Sequence, residues 1–219
     1  TTYGSPRFEA HVPDVDATVV ARLRAAGAVI VGKHATHELA WGGRTDSTHF
    51  GPTHNPHRRG HIPGGSSGGS AASVVAGSSL GALGTDTAGS VRIPAALSGC
   101  VGFKPSRGRI SLAGVLPLAP SLDHVGTLAR TVADAALLAA AVAGPDPADT
   151  RTLGVPGAPG GVATVADGTR VAVLGGWFQE LLHPDVREAV ERTADGLRAA
   201  GLSVTTIEMP DEPGLTDAI

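Results

Sequence analysis

Residues 64–105 read GGSSGGSAASVVAGSSLGALGTDTAGSVRIPAALSGCVGFKP, and they carry the most informative pattern in the chain. It contains two turns rich in glycine, serine and threonine, at 64–69 and 85–90. The small, mostly apolar residues 70–76 and 92–98 follow these turns, end at glycine, and predict two short helices. Because apolar sequence resumes directly after each turn, the glycines belong to a folded structure and not to a flexible linker.

Short apolar runs within this stretch and on either side of it predict buried strands. Residues 80–84 and 28–31 are apolar runs of this kind, and 28–31 is bounded by glycine on both sides. Further along the chain, predicted strands at 171–174 and 203–207 are separated by a predicted helix at 184–200. This strand–helix–strand order favours parallel pairing, so we expect an α/β fold.

The remaining segments predict two more helices and two irregular regions. Residues 16–26 have the spacing of an amphipathic helix, and the alanine-rich, nearly all-apolar residues 131–143 predict a buried helix. Residues 42–69 lack sustained periodicity and predict a long loop. Residues 154–168 are rich in glycine, proline and alanine, and they predict an internal connector.

Composition limits the class of protein. With 219 residues, 42% of them hydrophobic, and a net charge of −3, the chain can bury a core but shows no basic surface for nucleic acid. Its longest uncharged apolar run, 135–143, is too short for a membrane core that needs about 20 residues. The single cysteine, Cys100, fits a reducing compartment, so we predict a cytoplasmic location. The chain starts without methionine or a leader, and we expect a fragment of a longer protein.

Three residues have the chemistry of a nucleophilic site: Lys33, Ser66 and Ser90. Lys33 follows the predicted strand 28–31 and is one of only two lysines among 17 basic residues. A serine hydroxyl needs a base to remove its proton, and burial favours the neutral lysine that can act as this base. A second serine can relay the proton, and backbone N–H groups at 87–90 can bind a developing oxyanion.

Three motifs together resemble the amidase signature family of serine amidohydrolases. They are residues 64–105, VIVGKHATHELAWG at 29–42 and SLDHVGTLARTVADAALL at 121–138. The resemblance extends from about Gly4 to the end of the chain. It implies a mixed central β-sheet flanked by helices on both faces, in a single domain over 1–219 that is truncated relative to the family.

The resemblance also assigns roles to individual residues. It implies that Ser90 is the nucleophile and that Lys33 is the base. It also implies that Ser66 is the bridging serine between them and that the peptide bond between Gly65 and Ser66 is cis. The implied oxyanion-hole amides are those of Thr87, Ala88, Gly89 and Ser90. The supporting residues are Gly65, Ser67, Asp86 and Arg92. We expect Ser67 to hydrogen-bond within its loop, and Asp86 and Arg92 to form an ion pair that braces the turn around the nucleophile.

The function that follows from this resemblance is hydrolysis of a carboxylic amide. The C–N bond would be cleaved to an acid and ammonia or an amine, through an acyl-enzyme on Ser90. The expected partner is a small-molecule amide, with no metal or organic cofactor, no nucleic acid and no membrane. A homo-oligomer is compatible with the sequence.

Three alternatives remain open. The A subunit of a glutamine-dependent aminoacyl-tRNA amidotransferase resembles the same family and works with a second protein. An esterase of the α/β-hydrolase type would use Ser66 with a histidine, because residues 64–68 match the pattern G-x-S-x-G. A non-catalytic metal-binding domain would use histidines, and six of them fall within 34–61.

Overall fold

The computed structural model describes residues 1–156, 162, 164–166, 168–180 and 182–208. The chain divides into two compact units, residues 1–162 and 163–219. Much of the connector predicted at 154–168 lies outside the described residues. A single domain over 1–219 stays a prediction.

Short helices and short strands alternate in the first unit. Its α-helices are α1 (Thr18–Ala25), α2 (Gly68–Val75), α3 (Arg92–Ser98) and α4 (Val132–Val142). Its strands are β1 (Asp46–Ser47), β2 (Gly51–Pro52), β3 (Gly81–Asp86), β4 (Val101–Phe103) and β5 (His124–Ala129). Short 3-10 helices occur at Pro6–Phe8, Glu38–Ala40 and Thr150–Thr152. The four predicted helices of this unit are confirmed, and so is the strand predicted at 80–84.

An antiparallel sheet in the order β3-β5-β4 lies at the centre of this unit. Asp86 at the end of β3 lies opposite His124 at the start of β5. Helices α2 and α3 pack on the sheet through a cluster of buried residues, Ala71, Val74, Ala82, Val91, Ala95 and Leu128. Because most of these side chains are small, the helices that follow the two glycine-rich turns lie close to the sheet.

Strand β5 was missed by the sequence analysis, although it is the middle strand. Gly126 and Thr127 interrupt its apolar residues, so no apolar run or alternation of period two marks it. Its residues 125–129 are nevertheless buried, because strands pair on both sides of it. Strand β4 was missed as well, since its three residues are too few to carry a pattern.

The strand predicted at 28–31 is wrong. Residues 28–31 follow the end of α1 and pair with no strand in the part of the chain that the structure describes. Val29 is 85% exposed and Val31 is 73% exposed. A β-branched sequence favours an extended backbone, but a strand also requires a neighbour for its N–H and C=O groups.

Helix α4 is buried on one face only, which differs from the expectation of a fully buried helix. Ala135, Ala139 and Val142 are buried, whereas Leu137 is exposed. Thr131 precedes the helix as its N-cap residue, and its hydroxyl accepts a hydrogen bond from the N–H of Asp134 at 3.1 Å.

The second unit contains the strand–helix–strand segment. Its elements are β6 (Arg170–Leu174), α5 (Trp177–Glu180), α6 (Pro184–Ala199) and β7 (Ser203–Ile207). Strands β6 and β7 are parallel, with Arg170 opposite Ser203, so the predicted pairing is confirmed. The α/β class is confirmed, with the described strands in three small sheets, one parallel and two antiparallel. Across the described residues, no helix is long and apolar enough to cross a membrane.

Candidate active site

Ser66 lies at a bend in the backbone just before α2. The peptide bond between Gly65 and Ser66 is cis, as the resemblance implied. A Cβ atom at position 65 would lie 2.7 Å from the backbone nitrogen of Arg44, so the bend requires glycine at that position. Ser66 itself is fully buried.

Three donors surround the carbonyl oxygen of Ser66. They are the hydroxyl of Thr36 at 2.9 Å, the N–H of His37 at 3.0 Å and the hydroxyl of Thr45 at 3.1 Å. The Thr45 oxygen also accepts from the N–H of Gly68 at 3.1 Å, which ties this loop to the start of α2. These contacts fix the backbone of Ser66 and do not involve its side-chain hydroxyl.

The hydroxyl of Ser66 is buried and has no hydrogen-bond partner among the described residues. Buried polar groups are rarely left unpaired, because the loss of hydration costs roughly 1–3 kcal/mol. A hydroxyl that can both donate and accept is what a proton relay requires. The environment of Ser66 therefore fits the bridging role.

Ser90 ends the turn 87–90, between β3 and α3, and Asp86 braces this turn. The fully buried Asp86 carboxylate accepts from the N–H of Gly89 at 2.8 Å and of Val91 at 3.1 Å. Arg92 donates to both carboxylate oxygens, from Nη2 at 2.9 Å and from Nε at 3.0 Å. The predicted ion pair is confirmed, and it holds the backbone on either side of Ser90.

The charge of Asp86 is stabilised by these donors. Burial alone would raise the pKa of this carboxyl group. The hydrogen bonds from Arg92 and from the N–H groups of Val91 and Gly89 outweigh that effect, so the pKa of Asp86 is lowered. The same pairing raises the pKa of Arg92. Both groups are therefore charged at neutral pH.

The four predicted oxyanion-hole amides differ in their availability. The N–H of Gly89 already donates to Asp86. Those of Thr87, Ala88 and Ser90 donate to no acceptor within the described ranges of the chain. The turn that carries Ser90 therefore contains three N–H groups that make no hydrogen bond within the described residues and that can serve as donors to a tetrahedral oxyanion.

The two serine-containing turns are in direct contact. The N–H of Ser67 donates to the carbonyl oxygen of Ser90 at 3.2 Å. The Ser67 hydroxyl donates to the carbonyl oxygen of Thr85 at 3.3 Å and accepts from its N–H at 3.2 Å. Ser67 does form hydrogen bonds, but the partner of its hydroxyl is Thr85 in strand β3 and not a residue of its own loop. Through Ser67, the backbones of Ser66 and Ser90 are held as neighbours.

Lys33 lies on the surface, and the expectation that it is buried is wrong. Its amine donates to the hydroxyl of Thr1. The reason for the exposure is that residues 28–31 have no strand beside them in this structure. Burial lowers the pKa of the neighbouring His34, whose imidazole is therefore neutral at neutral pH and adds no positive charge beside Lys33.

The backbone that follows Lys33 does reach the Ser66 turn. The carbonyl oxygen of Ala35 accepts from the N–H of Gly69 at 3.1 Å, and Thr36 contacts the Ser66 carbonyl. Thr36 is three residues from Lys33, and three residues span at most about 11 Å. The structure thus brings the Lys33 segment to Ser66, but it does not join the three side chains by hydrogen bonds.

The rival sites find little support in the geometry. The Ser66 hydroxyl has no imidazole partner among the described residues, as the esterase arrangement would require. Within the same residues, no group of three or more His, Cys, Asp or Glu side chains is placed to hold a metal ion. Among the histidines, His57 instead contacts the carbonyl oxygen of Ser98 at 3.0 Å.

Sequence reasoning missed three residues that shape the site: Thr36, Thr45 and Asp123. Thr36 and Thr45 hold the Ser66 carbonyl, and the carboxylate of Asp123 accepts from the hydroxyl of Thr87 at 2.6 Å. In the sequence they are polar residues within or near loops, and nothing in their spacing distinguishes them from neighbouring hydroxyls and carboxylates.

Comparison with known proteins identifies relatives over the whole chain. A family model described as Amidase matches residues 1–219. The chain is 45% identical over 215 residues to the A subunit of the Glutamyl-tRNA(Gln) amidotransferase of Roseiflexus castenholzii, covering 97% of this chain and 44% of that protein. The chain therefore spans less than half the length of this curated relative.

Solved structures agree with this match. The A subunit of the Glutamyl-tRNA(Gln) amidotransferase from Thermotoga maritima superposes with a TM-score of 0.90 at 38% identity, over 96% of this chain and 47% of that one. The native peptide amidase from Stenotrophomonas maltophilia superposes with a TM-score of 0.85 at 36% identity, over 100% of this chain and 46% of that one. The fold of the described residues is thus shared with both kinds of protein.

Proposed function

Since this chain belongs to the amidase family, we propose that it hydrolyses the C–N bond of a carboxylic amide through an acyl-enzyme on Ser90. The observation that carries the proposal is the turn 87–90. This turn carries Ser90 and three N–H groups that make no hydrogen bond within the described residues, and the buried Asp86 carboxylate accepts from the N–H groups of Gly89 and Val91 in and after it. A nucleophile beside backbone donors is the arrangement that acyl transfer requires.

In the proposed mechanism, Ser66 relays the proton of Ser90 to Lys33. The Ser90 oxygen attacks the amide carbon while its proton passes to the Ser66 hydroxyl, whose own proton passes to the Lys33 amine, which has to be in its uncharged form to accept it. The unpaired, buried Ser66 hydroxyl supports this route. The Lys33 side chain, which contacts Thr1 in this structure, has to turn towards Ser66 for the relay.

Collapse of the tetrahedral intermediate returns a proton to the leaving nitrogen and releases ammonia or an amine. Water then loses a proton through the same relay to Lys33 and attacks the acyl carbon. The bond to Ser90 breaks as this proton returns to the Ser90 oxygen, and the carboxylic acid is released. In this series of steps, each proton is carried by a side chain of this chain, so the proposal includes no metal or organic cofactor. We also propose a cytoplasmic location, which rests on the cysteine content of the sequence.

Labelling of the intact chain with a fluorophosphonate tests the nucleophile. This probe phosphonylates an activated serine, and mass spectrometry of peptides locates the adduct. We expect a single adduct on Ser90, loss of labelling in Ser90→Ala, and full labelling in Ser78→Ala, which changes an exposed serine in the turn after α2. An adduct on Ser66, or no adduct in a folded chain, would contradict the proposal.

A second candidate function is that of the A subunit in an amidotransferase. The relatives that are A subunits of a Glutamyl-tRNA(Gln) amidotransferase favour it, at 45% identity for the Roseiflexus castenholzii protein. In this case the amide is glutamine, and the released ammonia passes to a second protein of the complex. If the chain releases ammonia from glutamine only when the second protein of the complex is added, the second candidate is supported. If the chain alone hydrolyses simple amides, the first candidate is favoured.

A further inference from the structure

Thr87 and Asp123 face each other one position beyond the central sheet. Asp86 and His124 form the last pair of the β3–β5 ladder, so Thr87 and Asp123 occupy the next pair in the same register. The hydroxyl of Thr87 donates to Oδ1 of Asp123 at 2.6 Å. This distance lies in the range of charge-assisted O–H···O⁻ bonds, which are about twice as strong as neutral ones.

The carboxylate of Asp123 is itself held firmly. Asp123 is 7% exposed. Its carboxylate accepts from the N–H of Leu118 at 2.9 Å and from the N–H of Ala119 at 3.0 and 3.1 Å. Because the backbone fixes this acceptor, the hydrogen bond also fixes the side chain of Thr87.

The turn 87–90 therefore has two carboxylate anchors. Asp86 binds the N–H groups of Gly89 and Val91, in the second half of the turn and just after it. Asp123 binds Thr87, the first residue of the turn. The N–H groups of Thr87 and Ala88 lie in the first half of the turn, and Asp123 is the only one of the two carboxylates that contacts this half.

We propose that Asp123 is a positioning residue for the hydrolysis, acting through Thr87 to place the N–H donors of the turn. This inference rests on the proposed function of Ser90. An oxyanion donor must lie within about 2.7–3.1 Å of the developing charge, and misplacement by about 1 Å can cost 10²-fold in rate. The oxyanion exists only after attack, so the loss falls on kcat and not on KM.

Thr87→Val tests this role, because it removes the hydroxyl and preserves the shape of the side chain. We expect a loss of roughly 10- to 100-fold in the fluorophosphonate labelling rate of Ser90 and in kcat, with KM within about twofold. Thr87→Ser keeps the donor and should restore both rates. Thr18→Val is the matched control, because it removes a 2.7 Å hydrogen bond from a threonine hydroxyl to the buried carboxylate of Asp146, outside the turn.

The outcomes separate this inference from the function on which it rests. Equal labelling rates and kcat values in Thr87→Val and the unchanged chain would overturn the positioning role alone. Equal losses in Thr87→Val and Thr18→Val, together with equal falls in melting temperature, would overturn it as well, because they would show a general effect of stability. A folded, unchanged chain that is not labelled on Ser90 would overturn the proposed function and this inference with it.

Discussion

Replacement of Asp86 by asparagine should destabilise the fold by about 2–3 kcal/mol. Asp86 is 0% exposed, and its carboxylate accepts from the N–H groups of Gly89 and Val91 and from the Arg92 guanidinium. Hydrogen bonds from the two buried N–H groups contribute about 1 kcal/mol each. The Arg92 side chain is 52% exposed, so solvent screening limits the ion pair to about 1 kcal/mol. Asparagine keeps one acceptor oxygen, but its NH2 group opposes the remaining donors.

The melting temperature measures this loss. For a chain of this size, 1 kcal/mol corresponds to roughly 2–4 °C, so a loss of about 2–3 kcal/mol should lower the melting temperature of Asp86→Asn by about 4–12 °C relative to the unchanged chain. Asp46→Asn is the control, because Asp46 also pairs with an arginine, Arg44 at 2.7 Å, but on the surface. If the melting temperature fell no further in Asp86→Asn than in Asp46→Asn, the buried carboxylate would not be what holds the turn.

Three further predictions concern pH, the proton relay and the bend at Ser66. Folding lowers the pKa of Asp86, so the stabilisation by its carboxylate is present above the unfolded pKa of about 3.9 and is lost as pH falls through the folded pKa. The difference in melting temperature between the unchanged chain and Asp86→Asn should therefore be constant from about pH 5 to 7 and shrink below about pH 4. Lys33→Ala should slow fluorophosphonate labelling of Ser90 by about 10²-fold or more, whereas labelling at an unchanged rate would favour the esterase alternative. Gly65→Ala should lower the free energy of unfolding by about 1–3 kcal/mol or more, because the new Cβ would lie 2.7 Å from a backbone nitrogen. Gly32→Ala is the control, because a Cβ at position 32 would have no atom within 4 Å. Its free energy of unfolding, measured with denaturant, should stay within about 0.5 kcal/mol of that of the unchanged chain.

Local sequence patterns were sufficient for the helices and for the turns that carry the serines. Helix α3 covers residues 92–98 as predicted, since proline near its start and Gly99 after its end mark both limits. The cis bond at Ser66 and the Asp86–Arg92 pair followed from the resemblance and are confirmed. Residues close together in the chain signal both features, although the Ser66 bend is also held by Thr36 and Thr45 from earlier in the chain.

Features that depend on distant residues were not predictable in the same way. Strand β5 forms because strands pair on both sides of it, and its own residues carry no periodic signal. Residues 28–31 have the composition of a buried strand, but burial depends on neighbours, and Val29 is exposed. The exposure of Lys33 has the same origin. Asp123 was missed because its partner, Thr87, lies 36 residues away in the sequence.

The exposed run at 28–31 has a practical consequence for handling this chain in solution. Its four residues, AVIV, carry no charge and no proline, and charged or proline residues are what natural proteins use to prevent edge-to-edge association. An exposed, largely β-branched segment that pairs with no strand among the described residues is a template on which a strand from another molecule can add, and the tendency grows with concentration. Purification and storage therefore favour dilute samples without strongly salting-out anions such as sulfate, which strengthen apolar association.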